Sequence, residues 1–259
     1  MLVVEAIFAA VEADLIISIK GGTTVNANLS NKFRVAPIAM TVLLAVTATL
    51  ALPGRGEAGT LEATAGPTAA AGVPASVEAV GVQGENLYDM AKANDWPKAK
   101  AALASLKQAA QQLRTDLKNG RADETRLNAS IAALEKAVAA ADRSPAMREA
   151  NQVTLIGADL AAPFKPPVPV EVTKLDYYGR ELEIWAAAKN GTKLQATAAA
   201  MRRTWDSLRP RVESRNAAEA KKFDALMARV AAAKSPDELG QLAAPVLAEV
   251  DNLEKVFTK

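Results

Sequence analysis

Along the larger, C-terminal part of this 259-residue chain, apolar residues recur at alternating spacings of three and four. From Trp96 the series runs Trp96, Ala99, Leu103, Leu106, Ala110, Leu113 and Leu117. That spacing draws one stripe down one helix face, the coiled-coil-like face that a helix buries against its neighbours. The positions between are filled by Ala, Lys, Gln, Glu and Arg, which lose least on entering a helix.

The stripe returns 95 residues later as Leu194, Ala198, Met201, Trp205, Leu208 and Val212. At the same offset Val77, Val80, Leu87 and Met90 match Val172, Leu175, Leu182 and Trp185. Downstream, Ile131, Leu134 and Val138 match Phe223, Leu226 and Val230 at an offset of 92, and Val153, Leu160 and Phe164 match Val246, Leu253 and Phe257 at 93. The strings VAAADRSP from Val138 and VAAAKSP from Val230 close the two third helices. Offsets that change only between helices are those of a duplication with loop insertions.

Punctuation divides each repeat into four helices. Asp95 is placed to cap the second helix and Asn119-Gly120 to end it. In the second repeat Asn190-Gly191 stops the first helix, and Thr192 with Gln195 forms a capping box for the next. Asn216 with Glu219, and Ser235-Pro236 with Glu238, start the third and fourth. Pro210 and Pro245 fall inside helices and are expected to kink or break them. The expected fold class is therefore all-α, two tandem four-helix repeats of antiparallel, bundle-like packing at 76–162 and 171–259. A stiff, extended Pro-rich linker at 163–170 joins them. The alternative is one elongated helical bundle into which both repeats merge.

The N-terminal 65 residues break this pattern. Lys32 and Arg34 precede an uncharged run from Val35 to Leu52, followed by small residues with Ala63-Thr64-Ala65 as an A-x-A cleavage site. A positive segment, an apolar run and small residues read as a secretory signal. The run is 18 residues long, enough to span a bilayer, so an uncleaved anchor is the alternative, with a buried helix a third reading. No cysteine follows it, which excludes a lipoprotein. Ahead of it, the stretch 1–31 is apolar but interrupted by Glu5, Glu12 and Asp14, which suits translation starting further downstream, or else an amphipathic helix. The segment 66–75 belongs to a Gly-, Ala-, Thr- and Pro-rich stretch and reads as a flexible tether. The expected location is periplasmic or secreted, or the inner membrane if the anchor is retained.

Composition then narrows the chemistry. The chain has no histidine and no cysteine. That removes imidazole general bases, catalytic triads, thiolate nucleophiles, disulfides, iron–sulfur clusters and histidine-ligated haem, zinc or iron. The net charge of +2 is spread without a basic face, and only 4% of residues are aromatic, so nucleic acid is a poor partner. No Gly-rich phosphate loop or nucleophile elbow occurs. No cofactor and no enzymatic activity are expected.

The most chemically diverse stretch runs from Lys174 to Trp185. Asp176 and Arg180 are partners four apart, as are Tyr177 and Glu181, while Leu175, Tyr178, Leu182 and Trp185 continue the apolar stripe. Asp176, Tyr177, Tyr178, Arg180, Glu181 and Trp185 are thus the candidate site for a ligand or partner, with Gly179 allowing another element to approach. The bland alternative is aromatic core filling beside a solvated ion pair. The corresponding stretch Ser76–Met90 lacks this set, which assigns any function to the second repeat.

Other features are weaker. Arg180-Glu181-Leu182-Glu183 approaches an R-E-x-x-E iron-permease motif, but Ile184 stands where an acid is needed, and no calcium loop is present. Arg202, Arg203, Arg209, Arg211 and Arg215 could receive an anionic partner, or simply form a solvated helix face. Trp96 and Trp205 lie on the stripes as core filling, and the Met residues form no cluster. In architecture alone, an exported, duplicated helical protein resembles the imelysin-like periplasmic proteins linked to iron uptake. Their histidine-containing motif cannot occur here, and haem-binding four-helix cytochromes fail for the same reason. The expected function is that of a non-catalytic, exported binding or interaction protein, its partner an unidentified protein or small molecule of the cell envelope. The alternatives are a small-ligand or metal carrier using the helix 174–185, or a membrane-anchored envelope scaffold.

Overall fold

A computed structural model describes residues 72–117 and 121–258. Among them are eight α-helices and no strand. Their bounds are α1 (Ala75–Lys92), α2 (Trp96–Asp116), α3 (Arg121–Ala139), α4 (Arg143–Ala161), α5 (Val170–Ala187), α6 (Gly191–Glu213), α7 (Ala217–Ala232) and α8 (Pro236–Thr258). The apolar run Val35–Leu52, the cleavage motif and Asn119-Gly120 lie outside the described residues. No described helix is long and apolar enough to cross a membrane.

Packing follows the stripes. In the first set α1 lies on α2, α2 on α3, α3 on α4, and α4 returns to α1; α5 to α8 repeat the same order of neighbours. Leu106, Leu127, Leu134 and Val153 are sealed in one apolar cluster, and Leu194, Met201, Trp205, Phe223 and Val246 in another. Full burial of each such side chain is worth roughly 1.5–3 kcal/mol, so the stripes are the main source of cohesion. Trp205 stacks on Phe223 at 4.5 Å between ring centres and keeps its indole N–H satisfied, donating to Asp224 at 2.8 Å.

Alanine and glycine let the first set close tightly. A Cβ on Gly157 of α4 would fall 2.8 Å from the Cα of Gly81 on α1, so the α1 backbone passes where a side chain at 157 would sit.

The turns repeat as well. Pro74 and Pro169 precede α1 and α5 with nearly the same backbone angles. Asn94 and Lys189 both adopt left-handed conformation after those helices, at φ 57° and 52°. In each case the next two amides fold back on the helix end: Asn94 and Asp95 donate to Ala91 and Met90, Lys189 and Asn190 to Ala186 and Trp185. Asp95 then caps α2, accepting from the Lys98 amide, and Asn190 caps α6, accepting from the Lys193 amide. This corrects the expected Thr192 box: α6 begins at Gly191, so Thr192 lies inside the first turn. Asn216 caps α7 through the Ala218 and Glu219 amides, and Ser235 accepts from the Glu238 amide at the start of α8.

The prolines do not break their helices, and the linker departs from its expectation. Pro210 and Pro245 break neither α6 nor α8, which run through them. Near the end of α6 the Pro210 carbonyl still accepts from the Ser214 amide, so the last turn closes after the missing proline donor. The linker is not uniformly extended: Ala162–Phe164 form a 3₁₀ turn directly after α4, and Lys165 at φ 50° reverses the chain before α5.

Candidate functional site

The stretch 174–185 forms most of α5, and α5 packs on α4 as well as on α6 and α8. It therefore sits at the seam between the two sets of helices. One α5 face, with Val172, Leu175 and Leu182, enters the second apolar cluster, while Ile184 enters the first. Tyr178 is half-buried against the second cluster, and half-buried Trp185 packs against both. The rest of the helix carries buried polar groups, which must find partners inside the seam.

Arg180 is 8% exposed and Glu181 6%. Arg180 points to the α1 side. Its guanidinium lies 5.0 Å from the centre of the Tyr88 ring, 3.5 Å from the Thr154 hydroxyl of α4 and 3.0 Å from Asp176. The approach to Asp176 is an ion pair without hydrogen-bond alignment, so the buried Asp176 Oδ2 receives no donor. Around this one guanidinium stand further carboxylates. Glu85 of α1 is pushed up to about 7, by burial first; Arg180 opposes this, while Asp176, Glu254 and Asp89 add to it. Asp176 is likewise raised by burial, against the pull of Arg180 and with help from Asp251 and Asp89.

Glu181 points to the α4 side. Asn151, fully buried, donates its amide to Glu181 Oε1 at 3.2 Å and to the Tyr177 carbonyl at 3.1 Å; Trp185 donates to Glu181 Oε2. Burial raises the Glu181 carboxyl, and these two donors oppose it. The expected Tyr177–Glu181 pair does not form, because the Tyr177 hydroxyl turns to Gln152 at 2.6 Å. Tyr177 and Tyr178 meet edge to face at 5.1 Å.

The first repeat is not a bystander, contrary to expectation. Tyr88 is sealed in the first cluster and donates its hydroxyl to Glu183 at 3.1 Å, while Lys92 pairs with the same carboxylate at 2.6 Å. Burial and then Glu183 raise the Tyr88 hydroxyl above the ordinary phenol range. Glu85, Tyr88, Asn151 and Thr154 are the seam residues that pattern reading missed. A signal did exist: position 88 lies 95 residues before 183, and 85 lies 95 before 180. Tyr88 and Glu183, 95 positions apart, thus meet across the seam.

Four of the five grouped arginines have a partner, while Arg203 is exposed. Arg202 pairs with Asp206, Arg209 with Asp224 and Glu213, and Arg211 with Glu171, while Arg215 lies over the Phe257 ring. Among the described residues no group of three or more carboxylates is set to hold a metal ion. Gly179 does permit a close approach, with the Leu247 side chain of α8 against it. Comparison with protein-family models, with curated proteins and with solved structures gives no match to this chain.

Proposed function

We propose that this chain is a non-catalytic binding or interaction protein, built from two duplicated four-helix units and exported from the cytoplasm. The observation that carries the binding reading is the seam. A chain otherwise stabilised by alanine- and leucine-rich packing buries Arg180 there with a carboxylate, Asp176, whose inner oxygen has no donor. Buried charge of this kind costs stability against an apolar alternative and marks a candidate functional site. The shared order of helix neighbours, the matching caps and the left-handed turns at Asn94 and Lys189 support the duplication. Export rests on the sequence from Lys32 to Ala65 alone.

A second reading is favoured by the same unsatisfied oxygen: a carrier for a small cationic or hydrogen-bond-donating ligand held near Asp176 and Arg180. A thermal-shift series on the full chain, with divalent cations, amines and amino acids as probes, separates the two. A rise in the melting midpoint that disappears in Arg180→Met favours the carrier, whereas a flat series leaves the interaction reading. Turnover of any substrate that depends on Tyr177, Arg180 or Glu181 would overturn both. Fractionation of the native host cell tests location: recovery after a salt wash in the soluble periplasmic fraction supports export without an anchor, and recovery in the cytosol defeats export.

A further inference from the structure

Away from the seam, the turn between α6 and α7 meets the C-terminal half of α8 around a cavity of about 360 Å³. Arg215 and Asn216 line it from the turn, Glu219 from α7, and Asn252, Lys255 and Val256 from α8. Small-ligand sites occupy roughly 300–1,000 Å³, so the space suits a small group. The two cations that line it are held by neutral partners. The Arg215 guanidinium lies 4.9 Å from the centre of the Phe257 ring, and Lys255 donates to Asn252 Oδ1 at 3.1 Å. Among the described residues neither is within ion-pair distance of a carboxylate, whereas Arg202, Arg209 and Arg211 each are.

Both cations therefore keep donors to spare. A ring under the guanidinium orients its plane and uses none of the N–H groups at its edge. An ammonium with one acceptor keeps two N–H groups. Asn216 adds an amide: its Oδ1 accepts from the Ala218 and Glu219 amides, and its Nδ2 has no acceptor among the described residues. The nearby acids do not cancel this arrangement. Glu219 pairs with Lys222 at 2.8 Å. Glu249 accepts from Asn252 at 3.1 Å, and burial, followed by a hydrogen bond with Glu219, raises its carboxyl, so this pair resists full ionisation.

We propose that this cavity is a binding site for a phosphate dianion, free or as a phosphomonoester, held by Arg215 and Lys255 with Asn216 as third donor. A phosphate group at neutral pH carries about −1.5 to −2 charge, which two unit cations balance, whereas a carboxylate would answer only one of them. The planar guanidinium fork matches two phosphate oxygens, and the ammonium serves as a point charge for a third. The site shares no residue with the seam, so it stands whatever the seam binds.

The test is a titration of the isotope-labelled full-length protein with inorganic phosphate, methyl phosphate, acetate or chloride at pH 7 and constant ionic strength. Backbone amide and asparagine Nδ2 resonances report the contact. Inorganic phosphate, methyl phosphate or both are expected to give saturable shifts at Arg215, Asn216 and the stretch Asn252–Val256, and comparing the two tells the free ion from the ester. Acetate and chloride are expected to give none. Arg215→Gln and Lys255→Gln lie at exposed positions where the fold is not at risk, and each should weaken binding about tenfold or more. No saturation by either phosphate overturns the proposal, as do shifts of equal size with acetate. So does binding that survives unchanged when Arg215→Gln and Lys255→Gln are combined.

Discussion

Helices α1 and α5 occupy the same place in their sets of four, and their buried positions agree closely. Val77, Val80, Gly84 and Leu87 stand opposite Val172, Leu175, Gly179 and Leu182 in the alignment, all of them buried. The polar residues of α5 have no like counterpart in α1: Arg180 corresponds to Glu85, Glu181 to Asn86, Glu183 to Tyr88 and Asp176 to Gly81. Two identical helices meeting in this register about a two-fold axis would set position 88 against its own copy, Tyr against Tyr. A single chain carrying two copies is free of that restriction. If the chain is the duplication proposed above, its counterparts are complementary: Tyr88 donates to Glu183 and the Glu85 carboxyl feels Arg180. The packing stripe is constrained by volume in both copies; the seam is constrained only as a pair.

Removing the cation should test this most severely. Arg180→Met keeps length and apolar stem but leaves Asp176 and Glu85 facing each other without a countercharge. Breaking a buried pair from one side costs about 3–5 kcal/mol. The orphaned carboxyls recover part of that by taking up protons, so the loss should be smaller at pH 5.5 than at pH 8. Denaturant unfolding at the two pH values measures it; equal losses would mean that Arg180 is merely packed, not electrostatically held.

The Glu85 carboxyl predicts the opposite sign. Glu85→Gln should raise the melting midpoint at pH 8, by roughly 5–10 °C, because it removes the cost of an ionised, desolvated carboxylate. At pH 5.5, where Glu85 carries its proton in the folded protein, the gain should largely vanish. Differential scanning calorimetry at both pH values reads the difference.

A third test keeps the chemistry constant and varies only the copy. Gly84 and Gly179 are equivalent, yet their surroundings are not. A Cβ at 84 would meet backbone of α4, the Thr154 nitrogen at 2.7 Å and the Ala150 carbonyl oxygen at 3.1 Å. A Cβ at 179 would meet only side-chain atoms, Leu247 Cδ2 at 2.7 Å and Cγ at 3.0 Å and Val246 Cγ1 at 3.3 Å, of which the half-buried Leu247 can shift. Gly84→Ala is therefore expected to cost about 2–3 kcal/mol. Gly179→Ala should fall within about 1 kcal/mol of zero, since better helix propensity offsets the crowding. Chemical denaturation of the two variants gives the comparison; similar losses would show that α8 is held as rigidly against α5 as α4 is against α1.

What sequence made legible was whatever repeats at helical period. The stripes placed Leu106, Leu194, Met201 and Trp205 in the interior, and Asp95 and Asn216 were recognisable as caps. The polar half of the site was only partly legible. Asp176 and Arg180 were visible as neighbours on one helix, but Glu85, Tyr88, Asn151 and Thr154 come from helices whose own polar residues look solvated in isolation. Periodicity says which side of a helix is buried. It does not say that a second helix set covers its polar flank. The missed information lay in comparing counterparts across the repeat, not in either copy alone. Pro210 and Pro245 leave α6 and α8 unbroken for a related reason: the lost donor is offset by helices fixed along their apolar faces.

The smallest expected effect separates two caps that look interchangeable. Asp95 and Asn190 sit 95 residues apart, follow the same left-handed turn, and each accepts from the amide of a lysine three residues on. Asn190→Ala should cost about 1 kcal/mol at any pH, because the amide oxygen does not titrate in the accessible range. Asp95 is different: hydrogen bonds from the Lys98 side chain and backbone hold its carboxyl below the ordinary 3.8. A carboxyl lowered in the folded state contributes stability that is complete above the unfolded value and is lost as pH falls through the folded one. Hydrogen exchange at the Lys98 amide should therefore lose protection, relative to the Lys193 amide, only once pH drops below about 4. Parallel loss at both amides would mean that the helix ends fray together and that the charge on Asp95 adds nothing to the cap.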